Sequence, residues 1–150
     1  PALHGRTRRL TDEHFMAADI DELSGDDALA QTLACDTPDA IAAFNASGAF
    51  PPFQPNPAAF LFAHRVDGQI AATARYGFAS PRDIVVDRVG TADAYRRRGL
   101  ATQLLAAIVA HARRRGAQRV WLISTEAGQP LYRAAGFTPL ATVAVDEVLA

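Results

Sequence analysis

The chain has 150 residues, of which 49% are hydrophobic and 21% are charged, and its formal net charge is −1. These values are typical of a globular protein that buries one core, so we interpret residues 1–150 as a single domain. The balanced charge argues against a general nucleic-acid binder, and the single cysteine excludes an internal disulfide or a cysteine-based metal site. No apolar run is long enough to span a bilayer and no signal peptide is recognised, so we expect a cytoplasmic protein.

The N-terminal third carries more helix signals than strand signals. A short strand is predicted at 6–10, and the run Thr11-Asp12-Glu13 that follows has the residues of a helix start. Apolar residues between 15 and 33 recur loosely at helical spacing, which predicts two helical pieces. Another short helix is predicted to begin at Thr37-Pro38, with the proline at its first position.

Residues 49–58 contain four prolines, which remove backbone donors and exclude regular structure. We interpret this segment as a rigid connector. Its aromatic residues Phe50 and Phe53 leave open a second interpretation, in which they form a wall of a substrate pocket.

The middle of the chain predicts an antiparallel meander. Two strand-like runs, 60–66 and 69–76, flank Asp67-Gly68, a pair typical of a two-residue hairpin turn. Residues 84–91 are predicted as the third strand of the meander. Gly90 within that strand indicates either a bulge or a close approach of a ligand to the backbone.

The C-terminal part predicts a parallel crossover followed by a short helix and a last strand. Apolar residues recur at three and four positions over 100–115, which predicts an amphipathic helix that stops at Gly116. Residues 119–124 are nearly all apolar, as in a strand covered on both faces and parallel to 84–91. A short helix at 129–135 and a β segment at 137–149 complete the predicted sheet.

The turn before the amphipathic helix reads Arg96-Arg97-Arg98-Gly99-Leu100-Ala101-Thr102. A helix N-terminus presents unpaired backbone N–H groups and the positive end of the helix dipole. Gly99 and Ala101 let an anion approach this backbone, and the arginines donate hydrogen bonds to phosphate oxygens. The turn is therefore predicted to bind a phosphate or pyrophosphate; the alternative is a solvated arginine cluster that caps a core helix.

Two motifs in this part of the chain resemble those of one family. Arg96, Gly99 and Ala101 follow the pattern Arg/Gln-x-x-Gly-x-Gly/Ala, and Leu131-Tyr132-Arg133-Ala134-Ala135-Gly136-Phe137 follows about thirty residues later. In this order and spacing, they resemble the coenzyme A loop and the C-terminal signature of the GNAT N-acetyltransferase superfamily. The resemblance runs from about residue 60 to the C-terminus and implies an α/β fold: a mixed, mostly antiparallel twisted sheet with helices on both faces.

The resemblance also implies how acetyl-CoA would be bound, without a metal ion. The strand end would run beside the pantetheine arm, and the turn would hold the pyrophosphate through its amides and arginine side chains. Thr125 stands where many family members have an asparagine that contacts the cofactor. The implied cofactor-binding residues are Val89, Gly90, Thr91, Arg96, Arg97, Arg98, Gly99, Leu100, Ala101, Thr102 and Thr125.

Two residues receive catalytic roles from the resemblance. Tyr132 would be the general acid that protonates the leaving thiolate, because the ordinary pKa of a phenol, about 10, lies close to that of a thiol. Its alternative role is a core tyrosine of the last short helix. Asp87 is the candidate base, since many family members have a glutamate in this strand; alternatively, it is a charge partner for Arg88 or Arg75.

The implied activity is acetyl transfer from acetyl-CoA to a primary amine, by direct attack within a ternary complex. The acceptor would be a small-molecule or peptide amine, with no nucleic-acid or membrane partner, and a homodimer is left open. One alternative is a catalytically silent acyl-CoA-binding domain, either a sensor or half of a tandem protein. Another is a nucleic-acid-binding module built on the two arginine runs, against which stand the balanced charge and the lack of an aromatic platform.

Overall fold

The computed structural model describes residues 6–149 and contains one six-stranded sheet with the strand order β2-β3-β4-β5-β1-β6. Of the strand pairs in this described part of the chain, only β4 and β5 are parallel; the other neighbours are antiparallel. The elements are β1 (Thr7–Asp19), α1 (Asp27–Leu33), α2 (Pro38–Ser47), β2 (Ala59–Val66), β3 (Gln69–Phe78), β4 (Asp83–Thr91), α3 (Leu100–Arg114), β5 (Arg119–Thr125), α4 (Gln129–Ala135) and β6 (Thr138–Val148).

Two apolar cores lie on opposite faces of the sheet. The larger core packs α1, α3 and α4 against the side of the sheet that carries Phe62 and Tyr76. The smaller core packs Phe44 of α2 and Phe53 of the connector against Leu61. Successive strand residues point to opposite faces, so Leu61 and Phe62 serve different cores. Helices therefore cover both faces of a mixed, mostly antiparallel sheet, and the predicted fold class is confirmed.

The predicted helix start at Thr11-Asp12-Glu13 is wrong, because these residues lie in the thirteen-residue strand β1. This strand is inserted between β5 and β6 and pairs with both, and its Met16 is fully buried. Ladders on two sides outweigh a local preference for a helix. The second predicted helical piece does form, as α1, whose N-cap Asp26 accepts a hydrogen bond from the Leu29 amide at 3.0 Å.

Several local predictions are confirmed. Asp67 and Gly68 form the hairpin turn with φ values of 51° and 77°, as a two-residue turn requires. Thr37 caps α2 through a hydrogen bond from the Ala40 amide. The amphipathic segment forms α3 and is followed by Gly116 in the left-handed region, with a φ of 89°.

The prediction that the strand at 119–124 is covered on both faces is wrong. Val120 and Leu122 of β5 are buried beneath α3, but Ile123 on the other face is 55% exposed. On this open face Trp121 stacks on Phe15 of β1, with the ring centroids 5.4 Å apart. No helix within residues 6–149 is both long and apolar enough to cross a bilayer.

Candidate active site

The parallel strands β4 and β5 lie side by side at one end and separate at the other. Their ladder runs from Asp83 opposite Arg119 to Val86 opposite Leu122 and ends there. Beyond that point, the two strands border an open cleft of about 740 Å³, which we call the interstrand cleft. Backbone groups of β4 that no longer pair with β5 can therefore bind a ligand lying in this cleft.

A β-bulge shapes the β4 side of the interstrand cleft. Arg75 of β3 pairs with Asp87 and Thr73 pairs with Gly90, so β4 carries one extra residue in this interval. Arg88 within the bulge has a φ of 50°, a left-handed conformation that is uncommon for a residue other than glycine. The bulge indicated by Gly90 is thus present immediately before it.

The N-terminus of α3 opens toward the interstrand cleft. Its N-cap is Gly99, with a φ of 74°, and no side chain caps the helix. The first N–H groups of an uncapped helix remain available to an anion. Arg96 and Arg97 line the cleft beside this terminus, and Arg96 also pairs with Asp93 at 2.9 Å. The positive end of the helix and two arginines therefore meet at one end of the cleft.

Most of the predicted site residues come together here. Those whose side chains or backbone line the interstrand cleft are Asp87, Val89, Gly90, Thr91, Arg96, Arg97, Ala101, Thr125 and Tyr132. The guanidinium of Arg98 lies instead over the Tyr95 ring, 5.3 Å from its centroid. Leu100 is buried in the core, and Thr102 lines a separate cavity between α3 and α4. Any contact of these three residues with a ligand in the cleft would be through their backbone amides.

Tyr132 of α4 forms part of the cleft wall and is only 8% exposed. Its ring packs edge-on against Phe137, with the centroids 5.8 Å apart. Burial raises the pKa of Tyr132 to about 12, so the phenol is protonated throughout the neutral range. The residue is thus a packed core tyrosine that also lines the cleft with a protonated phenol, and its role as general acid stays a prediction.

Thr125 and Gly128 form the turn between β5 and α4. The hydroxyl of Thr125 accepts a hydrogen bond from the Gly128 amide at 3.1 Å. A Cβ at Gly128 would lie 3.1 Å from the Ser124 hydroxyl and 3.6 Å from the Tyr132 ring. Gly128 therefore lets the turn close tightly against the tyrosine.

Asp87 is held by an arginine from the neighbouring strand. Arg75 donates two hydrogen bonds to its carboxylate, at 2.8 and 2.5 Å. The Asp87 side chain is 45% exposed. This pairing corresponds to the alternative predicted for Asp87, and its role as a base stays a prediction.

A second cavity adjoins the cleft on the other side of the β4 bulge. It measures about 230 Å³ and we call it the aromatic chamber; its lining consists of Phe44, Phe50, Pro51, Phe53, Leu61, Thr73, Arg75, Arg88 and Val89. Phe50, Arg88 and Val89 line both the chamber and the interstrand cleft. The connector aromatics thus form the wall of a pocket, the less favoured of their two interpretations. No local motif marks Arg88, and the sequence did not indicate that it lies between two cavities.

Asn45 fixes the wall of the aromatic chamber. Its side-chain oxygen accepts a hydrogen bond from the Phe53 amide at 2.7 Å, and its nitrogen donates one to the Phe53 carbonyl at 2.9 Å. Prolines on both sides of Phe53 restrict the connector backbone further. Helix α2 and the connector therefore act as one rigid wall.

A buried polar pair lies away from these cavities, between α3 and β3. The Tyr76 hydroxyl is 2.7 Å from Nδ1 of His111, within a cluster that includes the rings of Phe60 and Phe62. Burial, together with the nearby Arg115 charge, lowers the pKa of His111 to about 4. His111 is therefore neutral near pH 7, and in the tautomer that carries its proton on Nε2, Nδ1 accepts the hydrogen bond from the Tyr76 hydroxyl.

The comparisons with known proteins agree with this geometry. The model of the acetyltransferase (GNAT) family matches residues 27–137. A GCN5-related N-acetyltransferase from Kribbella flavida is similar with a TM-score of 0.71 and 24% identity, over 98% of this chain and 61% of that one. A putative GNAT acetyltransferase from Novosphingobium aromaticivorans is similar with a TM-score of 0.71 and 26% identity, over 100% of this chain and 70% of that one.

A third similar structure contains a ligand. It is a GNAT family acetyltransferase from Elizabethkingia anophelis with acetyl-CoA bound, with a TM-score of 0.52 and 15% identity, over 74% of this chain and 69% of that one. No curated protein matches this chain in sequence. The present chain thus spans less than two thirds of the Kribbella protein and somewhat more of the other two.

Proposed function

Because this chain belongs to the acetyltransferase (GNAT) family, we propose that it is an N-acetyltransferase that moves the acetyl group of acetyl-CoA to a primary amine. The observation that carries the proposal is the uncapped N-terminus of α3, which opens with Arg96 and Arg97 into a cleft bordered by the β4 bulge and Tyr132. The acceptor is a small-molecule or peptide amine, and we propose that the enzyme acts in the cytoplasm.

The interstrand cleft has the parts needed to bind acetyl-CoA. The amides at the start of α3, supported by Arg96 and Arg97, suit the pyrophosphate. The backbone of Val89 to Thr91 faces the cleft without a β5 partner, and it would pair with the amides of the pantetheine arm. The same backbone would orient the thioester carbonyl for attack.

The proposed reaction is a direct attack of the neutral amine on the thioester. Tyr132 stands ready to stabilise the charge that develops on the departing sulfur. With a pKa of about 12, its phenol is a weaker acid than a thiol of ordinary pKa, about 8.5, so its first contribution is a strengthening hydrogen bond. Protonation of the thiolate then completes the step.

The amine must lose a proton as the amide forms. We propose Asp87 as its acceptor, directly or through water, with Arg75 fixing the carboxylate in place. Under this assignment Asp87→Asn lowers activity most at the acidic end of the pH profile and leaves acetyl-CoA affinity unchanged. A wild-type pH profile in Asp87→Asn would assign proton removal to water.

Thermal denaturation with acetyl-CoA tests the proposal. Binding to the native state should stabilise it by about 2.7 kcal/mol at a hundredfold excess over Kd. NAD and ATP should raise the melting temperature much less. An unchanged melting temperature over the whole titration would overturn the proposal.

A pair of glycine variants locates the binding site. Gly99→Glu places bulk and negative charge against the pyrophosphate, and should abolish the acetyl-CoA shift. Gly68→Glu is the matched control, because Gly68 has a φ of 77° against 74° for Gly99, and a Cβ at either position has no atom within 4 Å. The control should incur the same backbone strain and keep the shift.

Free-thiol release distinguishes the enzyme from a silent acyl-CoA-binding domain. Both would show the thermal shift, but only the enzyme releases CoA when an amine is added. Tyr132 in the cleft wall favours the enzyme, because simple binding gives no reason to place a protonated phenol there. Shifts without thiol release across a broad amine panel would favour the binding domain.

A further inference from the structure

The aromatic chamber offers a ligand almost no hydrogen-bonding groups. Six of its nine lining residues are apolar: Phe44, Phe50, Pro51, Phe53, Leu61 and Val89. The remaining hydroxyl, that of the buried Thr73, already donates to the Phe62 carbonyl at 3.1 Å. Apart from the guanidinium groups of Arg75 and Arg88, the chamber offers a polar group no free partner to replace the water that it loses, so the chamber suits an apolar group.

The charged groups of the chamber disfavour an acceptor whose side chain is positively charged. The two charged residues that line it, Arg75 and Arg88, are both positive. Asp87, a carboxylate that lines the adjoining interstrand cleft, is already bound by Arg75 through two hydrogen bonds. A polyamine or aminosugar would therefore bring positive charge to a site with no uncompensated negative charge.

The volume of the chamber limits the group that it can hold. At about 230 Å³ it is smaller than a typical pocket for a drug-sized ligand, which measures about 300–1,000 Å³. Phe44 and Phe50 stack at 6.5 Å, and Asn45 fixes the connector, so the walls cannot easily move apart. The chamber accommodates one ring or one branched aliphatic group.

Arg88 adds an anion-binding group at the boundary between the two cavities. Arg75 is neutralised by Asp87, whereas Arg88 forms none of the ion pairs within residues 6–149. Its left-handed φ of 50° is a strained conformation that the bulge maintains. Strain of this kind concentrates at functional sites, and a guanidinium binds carboxylate through paired hydrogen bonds.

We propose that the acceptor is an α-amino acid, or a close analogue, with a compact aromatic or branched aliphatic side chain. This inference rests on the proposed function. The side chain occupies the aromatic chamber and the carboxylate binds Arg88. The α-carbon, to which both are bonded, lies between Phe50 and Val89, so that the α-amine faces the interstrand cleft. Phe50, Arg88 and Val89 line both cavities, so an α-carbon bound beside them can direct its side chain into one cavity and its amine into the other.

The reaction balances without any further reactant. The amine nitrogen forms a bond to the acetyl carbon while the thioester C–S bond breaks. The amine releases one proton, to Asp87 or to water. The thiolate receives one from Tyr132, which takes a proton back from solvent at once, while the proton released by the amine passes to solvent. The products are an N-acetylated amino acid and free coenzyme A.

The test compares acceptors that differ in one group, using the full chain with saturating acetyl-CoA and free-thiol release as the readout. L-Phenylalanine and L-leucine should give the highest kcat/KM. With kcat/KM expressed per neutral amine, L-phenylalanine amide and 2-phenylethylamine, which lack the carboxylate, should fall by at least about tenfold, as expected for one lost charged contact. L-Lysine and spermidine should be poorer still. A preference for spermidine, or equal rates for the acid and the amide, would overturn the inference.

Arg88→Asn identifies the group that binds the carboxylate. Asparagine tolerates the left-handed backbone, so the variant removes the charge without new strain. It should raise KM for L-phenylalanine about tenfold and leave KM for the amide unchanged. Arg97→Asn is the matched contrast, because Arg97 also has a positive φ, of 64°; it should weaken acetyl-CoA binding and keep the preference for the acid over the amide.

The thermal shift with acetyl-CoA distinguishes a failure of the proposed function from a failure of the acceptor inference. Without a shift, the proposed function fails. With a shift and with thiol release, an unselective panel or an Arg88→Asn enzyme with wild-type preference overturns the acceptor inference alone.

Discussion

The hydroxyl of Tyr132 contributes little before the reaction begins, because a thioester sulfur is a poor hydrogen-bond acceptor. Under the proposed mechanism, its contribution appears when negative charge builds on that sulfur, and is therefore specific to the transition state. Tyr132→Phe should lower kcat by about 10²–10⁴-fold and leave KM for acetyl-CoA nearly unchanged. The phenyl ring keeps the packing against Phe137, which separates chemistry from stability.

Tyr95→Phe is the control for this prediction. Tyr95 carries a phenol next to the turn at 96–102, but its ring lies beneath the Arg98 guanidinium. Steady-state kinetics and the melting temperature decide the outcome. Turnover by Tyr132→Phe within a factor of about two of wild type would remove the phenol from the mechanism. If the variant unfolds, Tyr132 has only its structural role.

At the scale of the element, the packing of α3 on β3 makes stability depend on pH. His111 has an ordinary pKa of 6.5 when unfolded and one of about 4 when folded. Burial thus disfavours its charged form, so the unfolded state binds more protons between these values. The stability that the neutral His111 contributes is fully present above pH 6.5 and is lost as the pH falls through 4.

His111→Asn isolates this contribution, because asparagine keeps an acceptor near the Nδ1 position and cannot be protonated. Between pH 6.5 and 4, the melting temperature of the wild type should fall more than that of the variant. Carboxylate titration affects both proteins and cancels in the comparison. Parallel pH profiles for the two proteins would show that His111 does not carry the effect.

The helices and strands differ in how well the sequence alone predicts them. Helix α3 was predictable because its apolar residues repeat within a few positions, and the turn at 96–102 and Tyr132 belong to short motifs. Strand β1 was predicted only over residues 6–10, because its pairing residues lie in β5 and β6, at least one hundred positions away. Its Thr11-Asp12-Glu13 run also mimics a helix start. Local patterns cannot report a partner that distant.

The two parts of the candidate site also differ in how well the sequence alone predicts them. The proposed cofactor side is formed by contiguous segments, the end of β4 with its following turn and the β5–α4 turn, and the residues that line the cleft there could be named in advance. The aromatic chamber gathers single residues from α2, the connector, β2, β3 and β4. Phe50 and Phe53 could be suspected from composition alone, but Thr73 and Arg88 acquire their roles only when the sheet is assembled.

For the molecule as a whole, the position of β1 brings distant parts of the chain together. Its Thr7 pairs with Val148 of β6, and the Leu149 amide donates to the Arg6 carbonyl at 2.9 Å. Among the strands of residues 6–149, β6 has no neighbour in the sheet other than β1. The outer part of the sheet therefore forms only after residues at opposite ends of the sequence meet.

That adjacency makes the chain a candidate for circular permutation. A short link from residue 149 to residue 6 would turn β6 and β1 into an ordinary hairpin, and new ends between the exposed Ser24 and Gly25 would interrupt no strand. Both partners of β1 would then precede it closely, which lowers the loop-closure entropy and the contact order. The permuted protein should refold faster than the natural order and keep the same acetyl-CoA shift; slower refolding in stopped-flow fluorescence would mean that closing the ends is not the slow step.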